Sequence, residues 1–384
     1  MRLVADSGLW SVGAHRSFIP TPLVAVLEVS GAVLSWTVDE PPDDAAAQIT
    51  FTDLPRADWL WRVVGDSGHV TLASAVDRHA PDDPHSIELT GVDIVPGSLV
   101  PLRRLAIGHW LRRWWPASRR DGIVGLDRAV LDVEVAVLTV GAQGFFTDDT
   151  LDSDVTELLA PHAAGLITNL RTGDPRIGDL VRVGAGLADE VGLDTIGWLE
   201  LSAALDDPSG TLAVPTGHQD DYALAAGSDT GPRGAAAISR GVASVDWSAV
   251  PPAIFDASEG TVEWSIEVAG TAAVAVVRAA LIGQDPATGI PVRVRSGAVS
   301  GAGTLDTDGR AVLPLVDSQQ QPMTESAAWD HDWAATSVHV GAPISGAAES
   351  PETRARVRRW ARARLDRPAD DAFLAEVLAA ESAY

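Results

Sequence analysis

The 384-residue chain contains no cysteine and no lysine. Without cysteine there are no disulfides, thiolate zinc sites, iron–sulfur clusters or thiol nucleophiles. Without lysine there is no Schiff-base chemistry and no phosphate-gripping lysine of the Walker type. All 28 positive charges are therefore arginine. With abundant Ala, Gly, Val and Asp, that bias points to a GC-rich bacterial genome, because lysine codons are AT-rich. Long apolar runs are missing too. The longest weakly polar stretch, residues 268–283, contains Arg278 and is too short and too rich in small residues to span a bilayer. Residues 1–8 lack the charged and apolar regions of an export signal. A soluble cytoplasmic protein with no membrane role is expected. No Gly-x-Ser-x-Gly elbow, no Gly-x-Gly-x-x-Gly between strand and helix and no His-Glu-x-x-His occurs, so no cofactor is expected and catalysis is the minority reading.

Against this background, 53 acids give a formal net charge of -25. Such a surface repels phosphate and argues against general nucleic-acid binding. Two segments run the other way. Residues 101–120 hold six arginines, no acid and three of the thirteen tryptophans, and residues 354–367 hold seven arginines against Asp366 alone. On a helical wheel Leu102, Leu105, Ala106, Trp110 and Trp114 cover one side of the first segment, while Ile107, Leu111 and Trp115 spread to the other. A helix apolar nearly all round is buried. Buried arginine needs carboxylates, carbonyls or an aromatic face. A central helix clamped by acidic layers is therefore expected, its charges answered within the molecule or on a neighbouring subunit.

The rest of the chain reads as α+β. Residues 1–97 show short alternating or β-branched runs, among them 23–29, 32–38, 48–52, 59–64, 69–73 and 86–94, broken by Pro/Asp turns; this predicts a β-rich antiparallel sandwich or barrel. Residues 98–205 predict a helical domain. Its signals are the Arg/Trp helix ended by Pro116, the apolar stretch 126–142 (helix or strand), a capping-box spacing at Asp154 and Glu157, and Asp174-Pro175 as N-cap and first helical residue. In the same domain, Gly184-Ala-Gly186 suggests close helix packing. Residues 206–257, rich in Gly, Asp and Pro, read as a linker or long loop.

Residues 258–345 predict an antiparallel β-sandwich, with Glu263 and Glu267 outward against Val262, Trp264, Ile266 and Val268. Residues 346–384 predict a C-terminal helical hairpin opened by Ser350-Pro351-Glu352, with Val357, Trp360, Ala361 and Leu365 as the inner stripe of its first helix and Phe373, Leu374, Val377 and Leu378 as the apolar face of its second. Within the sandwich, Gly289-Ile-Pro-Val-Arg-Val294 followed by Thr304-Leu-Asp-Thr-Asp-Gly-Arg310 and Leu313 resembles the small transthyretin-like or carboxypeptidase-regulatory β-sandwich. The similarity covers residues 258–317. It implies a structural or interaction module in which an Asp-Gly turn joins a strand pair, and it carries no catalytic residue across.

Two functional expectations follow. Tryptophan and arginine are enriched at binding hot spots, so a non-catalytic adaptor or scaffold of a bacterial multi-protein assembly is expected to dock other subunits through acidic surfaces. The residues concerned are Arg103, Arg104, Arg112, Arg113, Trp114 and Trp115 in the first segment. Arg354, Arg358, Arg359, Trp360 and Arg362 serve in the second. The alternative is a metal-dependent hydrolase using Asp330, His331 and Asp332, with His339 as a further ligand and His218 or Asp220 supplied by the long loop, because imidazole beside carboxylate suits metal binding and acid–base work. His79 with Asp82, Asp83 and His85 reads as a turn between strands, and His109 as a satisfied interior histidine.

Overall fold

The computed structural model describes residues 1–13, 19–40, 47–79, 85–146, 152–206, 237–283, 285–343 and 349–382. In chain order the elements are β1 (Arg2–Asp6), β2 (Leu9–Gly13), β3 (Val24–Val29), β4 (Ala32–Thr37), β5 (Gln48–Phe51), α1 (Trp61–Arg78) and β6 (His85–Glu88). There follow α2 (Val100–Trp114), α3 (Arg128–Gln143), α4 (Asp152–Leu159), α5 (Ala163–Leu170), α6 (Pro175–Glu190) and α7 (Ile196–Asp206). Then come β7 (Ser239–Ala243), β8 (Val262–Ala269), β9 (Ala272–Ala279), β10 (Pro291–Ser296), β11 (Val299–Thr304), β12 (Arg310–Pro314), α8 (Glu325–Asp330) and β13 (Ser337–Val340). The last two are α9 (Pro351–Asp366) and α10 (Leu374–Ser382). The chain is an α+β protein with antiparallel sheets, and it packs as two compact units. One comprises residues 1–115, 123–206 and 349–384, the other residues 116–122 and 207–348.

In the first unit the strands form one six-stranded antiparallel sheet in the order β3-β4-β5-β2-β1-β6. Alternation puts Leu3, Ala5, Trp10, Val12, Leu27, Leu34, Trp36, Ile49 and Phe51 on the buried side. Among the described residues the expected sandwich or barrel of residues 1–97 is not formed, because the segments 59–64 and 69–73 fall in a 3-10 turn (Asp58–Leu60) and in α1, not in strands. The burial of Gly68, Leu72 and Ala75 at helical spacing was masked by intervening valine and threonine. The helix is kinked at Gly65, whose φ of 73° needs a residue without a side chain. Trp59 ties the layers together: its indole N–H donates to the Ser30 carbonyl at 2.7 Å, and its ring meets Phe145 and Phe146 just past α3.

The helices follow their caps. Asp127 accepts from Val130 N–H and starts α3, which settles the helix-or-strand ambiguity of residues 126–142. Asp174 accepts from Arg176 N–H with Pro175 at the first position of α6, and Ser350 accepts from Thr353 N–H before Pro351 in α9. The capping-box reading at Asp154 is displaced: α4 already runs from Asp152, and Pro161 separates α4 from α5. The expected C-terminal helical hairpin packs within the same unit as the helices of the chain's middle, α10 against both α9 and α3.

In the second unit two antiparallel sheets, β11-β10-β13 and β12-β9-β8-β7, share one core in which Val262, Trp264, Ile266, Val277, Val292, Val294, Leu313 and Val340 meet. Residues 206–257 are not all linker, since β7 is an edge strand of the four-stranded sheet, paired with β8 from Ser239–Ile266 to Ala243–Val262. The Asp-Gly turn is present: Asp306 accepts from the N–H groups of Asp308 and Arg310 through Oδ1. It does not close a strand pair, however. It carries the chain from β11 in one sheet to β12 in the other. Asp256 fastens residues 116–122 to this unit. Its carboxylate accepts from the N–H groups of Arg119 and Ser258 at 2.9 Å.

The two glycines of α6 give a test of close helix packing. A Cβ on Gly184 would lie 2.6 Å from Val133 Cγ1, whereas one on Gly186 meets nothing within 4 Å. Alanine is favoured over glycine in a helix by about 1 kcal/mol, and overpacking costs about 1–3 kcal/mol. Gly186→Ala is thus expected to raise the urea midpoint and Gly184→Ala to lower it; equal shifts would exclude close packing as the reason for Gly184.

Candidate functional site

The first cationic segment folds as the buried helix that its wheel predicts. Leu102, Leu105, Ala106, Ile107, Trp110 and Leu111 of α2 are all buried, and its arginines turn to carboxylates on α3 and beyond α9. Arg112 grips Asp132 at 2.6 Å, Arg104 grips Glu134 at 2.7 Å, and Arg103 grips Asp371 at 3.0 Å. Arg113 covers the Trp114 ring at 4.3 Å, and Trp115 donates its indole N–H to the Val124 carbonyl.

Asp132, buried at 2 % exposure on α3, is the hub of the first cluster. Its Oδ2 also receives Arg128 Nε at 3.1 Å and lies 2.8 Å from His162 Nε2. Burial alone would push this carboxyl up, but the hydrogen bonds from His162 and Arg112 and the fields of Arg128 and Arg112 outweigh it, leaving the group below its ordinary value. The second cluster centres on Glu376, fully buried in α10. Arg364 of α9 meets it through two nitrogens, at 2.5 and 2.8 Å, and reaches Asp371 at 3.0 Å. Burial opposes the charge on Arg364, yet Glu376 and Asp371 hold its proton more firmly than usual. Glu376 also accepts from Phe373 N–H at 2.9 Å and Glu134 from Leu374 N–H at 2.7 Å, so two acids cap the start of α10. Glu134 differs in that burial dominates and raises its pKa.

Of the second segment, Arg354 and Arg358 are buried, with Arg354 donating to the Glu349 carbonyl at 2.8 Å. Trp360 stands edge-on to Trp110, ring centroids 5.0 Å apart. Arg359 and Arg362 are exposed. The expected docking residues thus divide: Arg354 and Arg358 are buried, Arg103, Arg104, Arg112, Arg113, Trp114, Trp115 and Trp360 are half-buried, and Arg359 and Arg362 on the outer face of α9 are exposed. The acids that answer them were missed in the sequence. A signal was present in Asp132 and Glu134, two acids in an otherwise apolar helix, and in Glu376, which stands three residues after Phe373.

Among the described residues the hydrolase constellation does not assemble. His331 Nε2 lies 3.0 Å from Ser296 Oγ, its ring rests edge-on against Trp333, Asp332 Oδ1 accepts from Ala334 N–H, and Asp330 is exposed at the end of α8. His339 is exposed on β13 opposite Arg293. Among the described residues no three His, Asp or Glu side chains converge to hold a metal ion. His218 and Asp220, and likewise Asp82 and Asp83, lie outside the described residues. His79 and His85 bring their rings within 5.9 Å. His109, expected to be satisfied, has no hydrogen-bond partner among the described residues. It lines a groove of about 360 Å³ with Thr21, Val24, Val26, Trp110 and Trp114. No family model, curated protein or solved structure matches the chain, and among the described residues no helix is long and apolar enough to cross a membrane.

Removing one partner of a buried ion pair leaves the other uncompensated at a cost of about 3–5 kcal/mol, whereas replacing both by apolar groups is often neutral. Glu376→Ala is expected to destabilise the first unit by that amount in urea unfolding, and Arg364→Met with Glu376→Leu to recover most of it. Should the double variant be as unstable as the single, the pair is not self-contained.

A second outcome concerns pH. Because the carboxyl of Asp132 is depressed in the folded state, its contribution is present at neutral pH. It is lost as pH falls from the unfolded carboxylate value, near 3.9, through the lower folded one. Glu134 acts in the opposite sense, so comparison with Asp132→Asn isolates the effect. The stability gap between wild type and that variant is expected to stay constant from pH 7 to 5 and to shrink below about pH 4. A gap already closing at pH 6 would show that the Asp132 carboxyl does not control this contribution.

Proposed function

We propose that the protein is a non-catalytic interaction protein, an adaptor within a bacterial multi-protein assembly, and that it docks an acidic partner on the outer face of α9. The observation that carries this reading is how α9 divides its arginines. Arg354, Arg358 and Arg364 are buried and hold the fold together, while Arg359 and Arg362 are exposed on a chain whose net charge is -25. Arg356 on the same helix already binds Asp39 at 2.8 Å, so the helix engages carboxylates outside its own buried core. A cationic island on an acidic molecule steers a complementary acidic surface and fixes its register. The two-sheet sandwich of the second unit suits a module that presents surfaces, and it supports the reading at the level of architecture.

The test uses Arg359→Glu with Arg362→Glu, because both side chains lie outside the buried clusters and the melting profile should be kept. Cross-linking in the native host at physiological salt is expected to yield a stoichiometric protein partner for the wild type and to lose it in the variant. No stoichiometric partner for the wild type, or a partner retained by a folded variant, overturns the proposal.

A further inference from the structure

The groove beside His109 lies within the first unit. Trp110, 3 % exposed, is part of its lining and is anchored by its own indole N–H, which donates to the Pro22 carbonyl at 3.0 Å. Trp114 contributes a second indole, stiffened by the Arg113 guanidinium over it. Ile19, Val24 and Val26 supply the aliphatic part, Val26 standing about half exposed on edge strand β3. Thr21 and His109 are the polar groups. None of the named lining side chains is an acid or an arginine, although the chain carries 28 arginines and 53 acids. Burial, reinforced by the field of Arg112, depresses the imidazole pKa, which keeps the ring neutral at pH 7. The volume of about 360 Å³ lies within the range of roughly 300–1,000 Å³ typical of small-molecule sites and is apolar with a few convergent polar groups, as such sites are. It is too small for a partner helix, which is about 10 Å across.

We propose that this groove is a binding site for an uncharged, planar aromatic small molecule of one or two fused rings bearing a hydroxyl group. The ring lies against the indoles of Trp110 and Trp114, and the hydroxyl pairs with the imidazole of His109. Aromatic ligands gain from offset or edge contact with indole faces beyond their buried area. A neutral imidazole has one donor and one acceptor nitrogen, and a hydroxyl serves either. Charged ligands are disfavoured because none of the described lining side chains neutralises them. The named lining includes neither Arg359 nor Arg362, so ligand binding and partner docking are independently testable.

The probes are 2-naphthol and 2-methoxynaphthalene, which share a ring system and differ in the hydroxyl proton, followed by two-dimensional NMR of the tryptophan indole N–H and histidine ring signals of the full chain. Saturable shifts are expected at Trp110, Trp114 and His109, with 2-naphthol binding roughly three- to ten-fold more tightly, the range of one net hydrogen bond. His109→Phe, which keeps a ring of similar size, is expected to erase that preference while retaining 2-methoxynaphthalene. Val26→Arg, placed at the rim, is expected to abolish both, with circular dichroism confirming that each variant folds. Absence of saturable shifts at millimolar probe, shifts confined to other tryptophans, or a naphthol preference that survives His109→Phe overturns the proposal. So do shifts that appear on raising protein concentration without probe, which would assign the groove to a second copy of the chain.

Discussion

A fully buried carboxylate holding a guanidinium in two-point contact is the constraint on which the helical part of this protein rests. Glu376 has no access to water, and Arg364 has little. Each charge is tolerated only because the other is there, and because Glu376 Oε2 also accepts from Phe373 N–H. Asp132 repeats the arrangement with two arginines and a histidine. Such pairs add little net stability compared with apolar residues of the same volume, but they are directional. A leucine core accepts several rotations of a helix, whereas a forked guanidinium facing a carboxylate accepts one. The ion pairs thus fix the angular setting of α2, α3, α9 and α10, and the surrounding apolar side chains supply the cohesion.

In the two arginine-rich segments, part of the cationic density is an internal adhesive. The absence of lysine fits that use, because guanidinium is planar, always charged and more weakly hydrated than ammonium, which makes it the cation that tolerates an interior. Where α9 turns outward the same residue type remains available to solvent. The two sides of one helix therefore do different work, and the sequence spacing that separates Arg354, Arg358 and Arg364 from Arg359 and Arg362 is what divides them.

The α+β character was legible, as were the burial of α2, the caps at Asp174 and Ser350 and the alternating strands of the sandwich, because each rests on a local period or a local hydrogen bond. The helical nature of α1 was not, since Val70 and Thr71 at its exposed positions imitate strand propensity. Nor was the Asp-Gly turn's true role. A turn dictates its own backbone, but which sheet the next strand joins depends on distant packing. The acids that answer the arginines were hidden for the same reason. Glu376 and Asp132 look like ordinary surface residues until α3 and α10 are placed against α2 and α9, a pairing across as many as 268 residues of sequence in the Arg103–Asp371 bond. His109 illustrates the reverse error, since a histidine on an apolar helix suggests a filled interior site, and only the geometry of β3 beside α2 leaves it facing a groove.

The division of the chain has a consequence for biosynthesis. The first unit is interrupted twice, by residues 116–122 and by residues 207–348, and the helices that neutralise its interior acids and bases are translated after the whole sandwich. Nascent α2 and α3 therefore leave the ribosome with Arg103 lacking Asp371 and with Glu134 lacking the amide of Leu374. The sandwich has every strand it needs before α9 and α10 exist. The inserted unit can therefore close early, whereas the first unit lacks these partners until α9 and α10 are made.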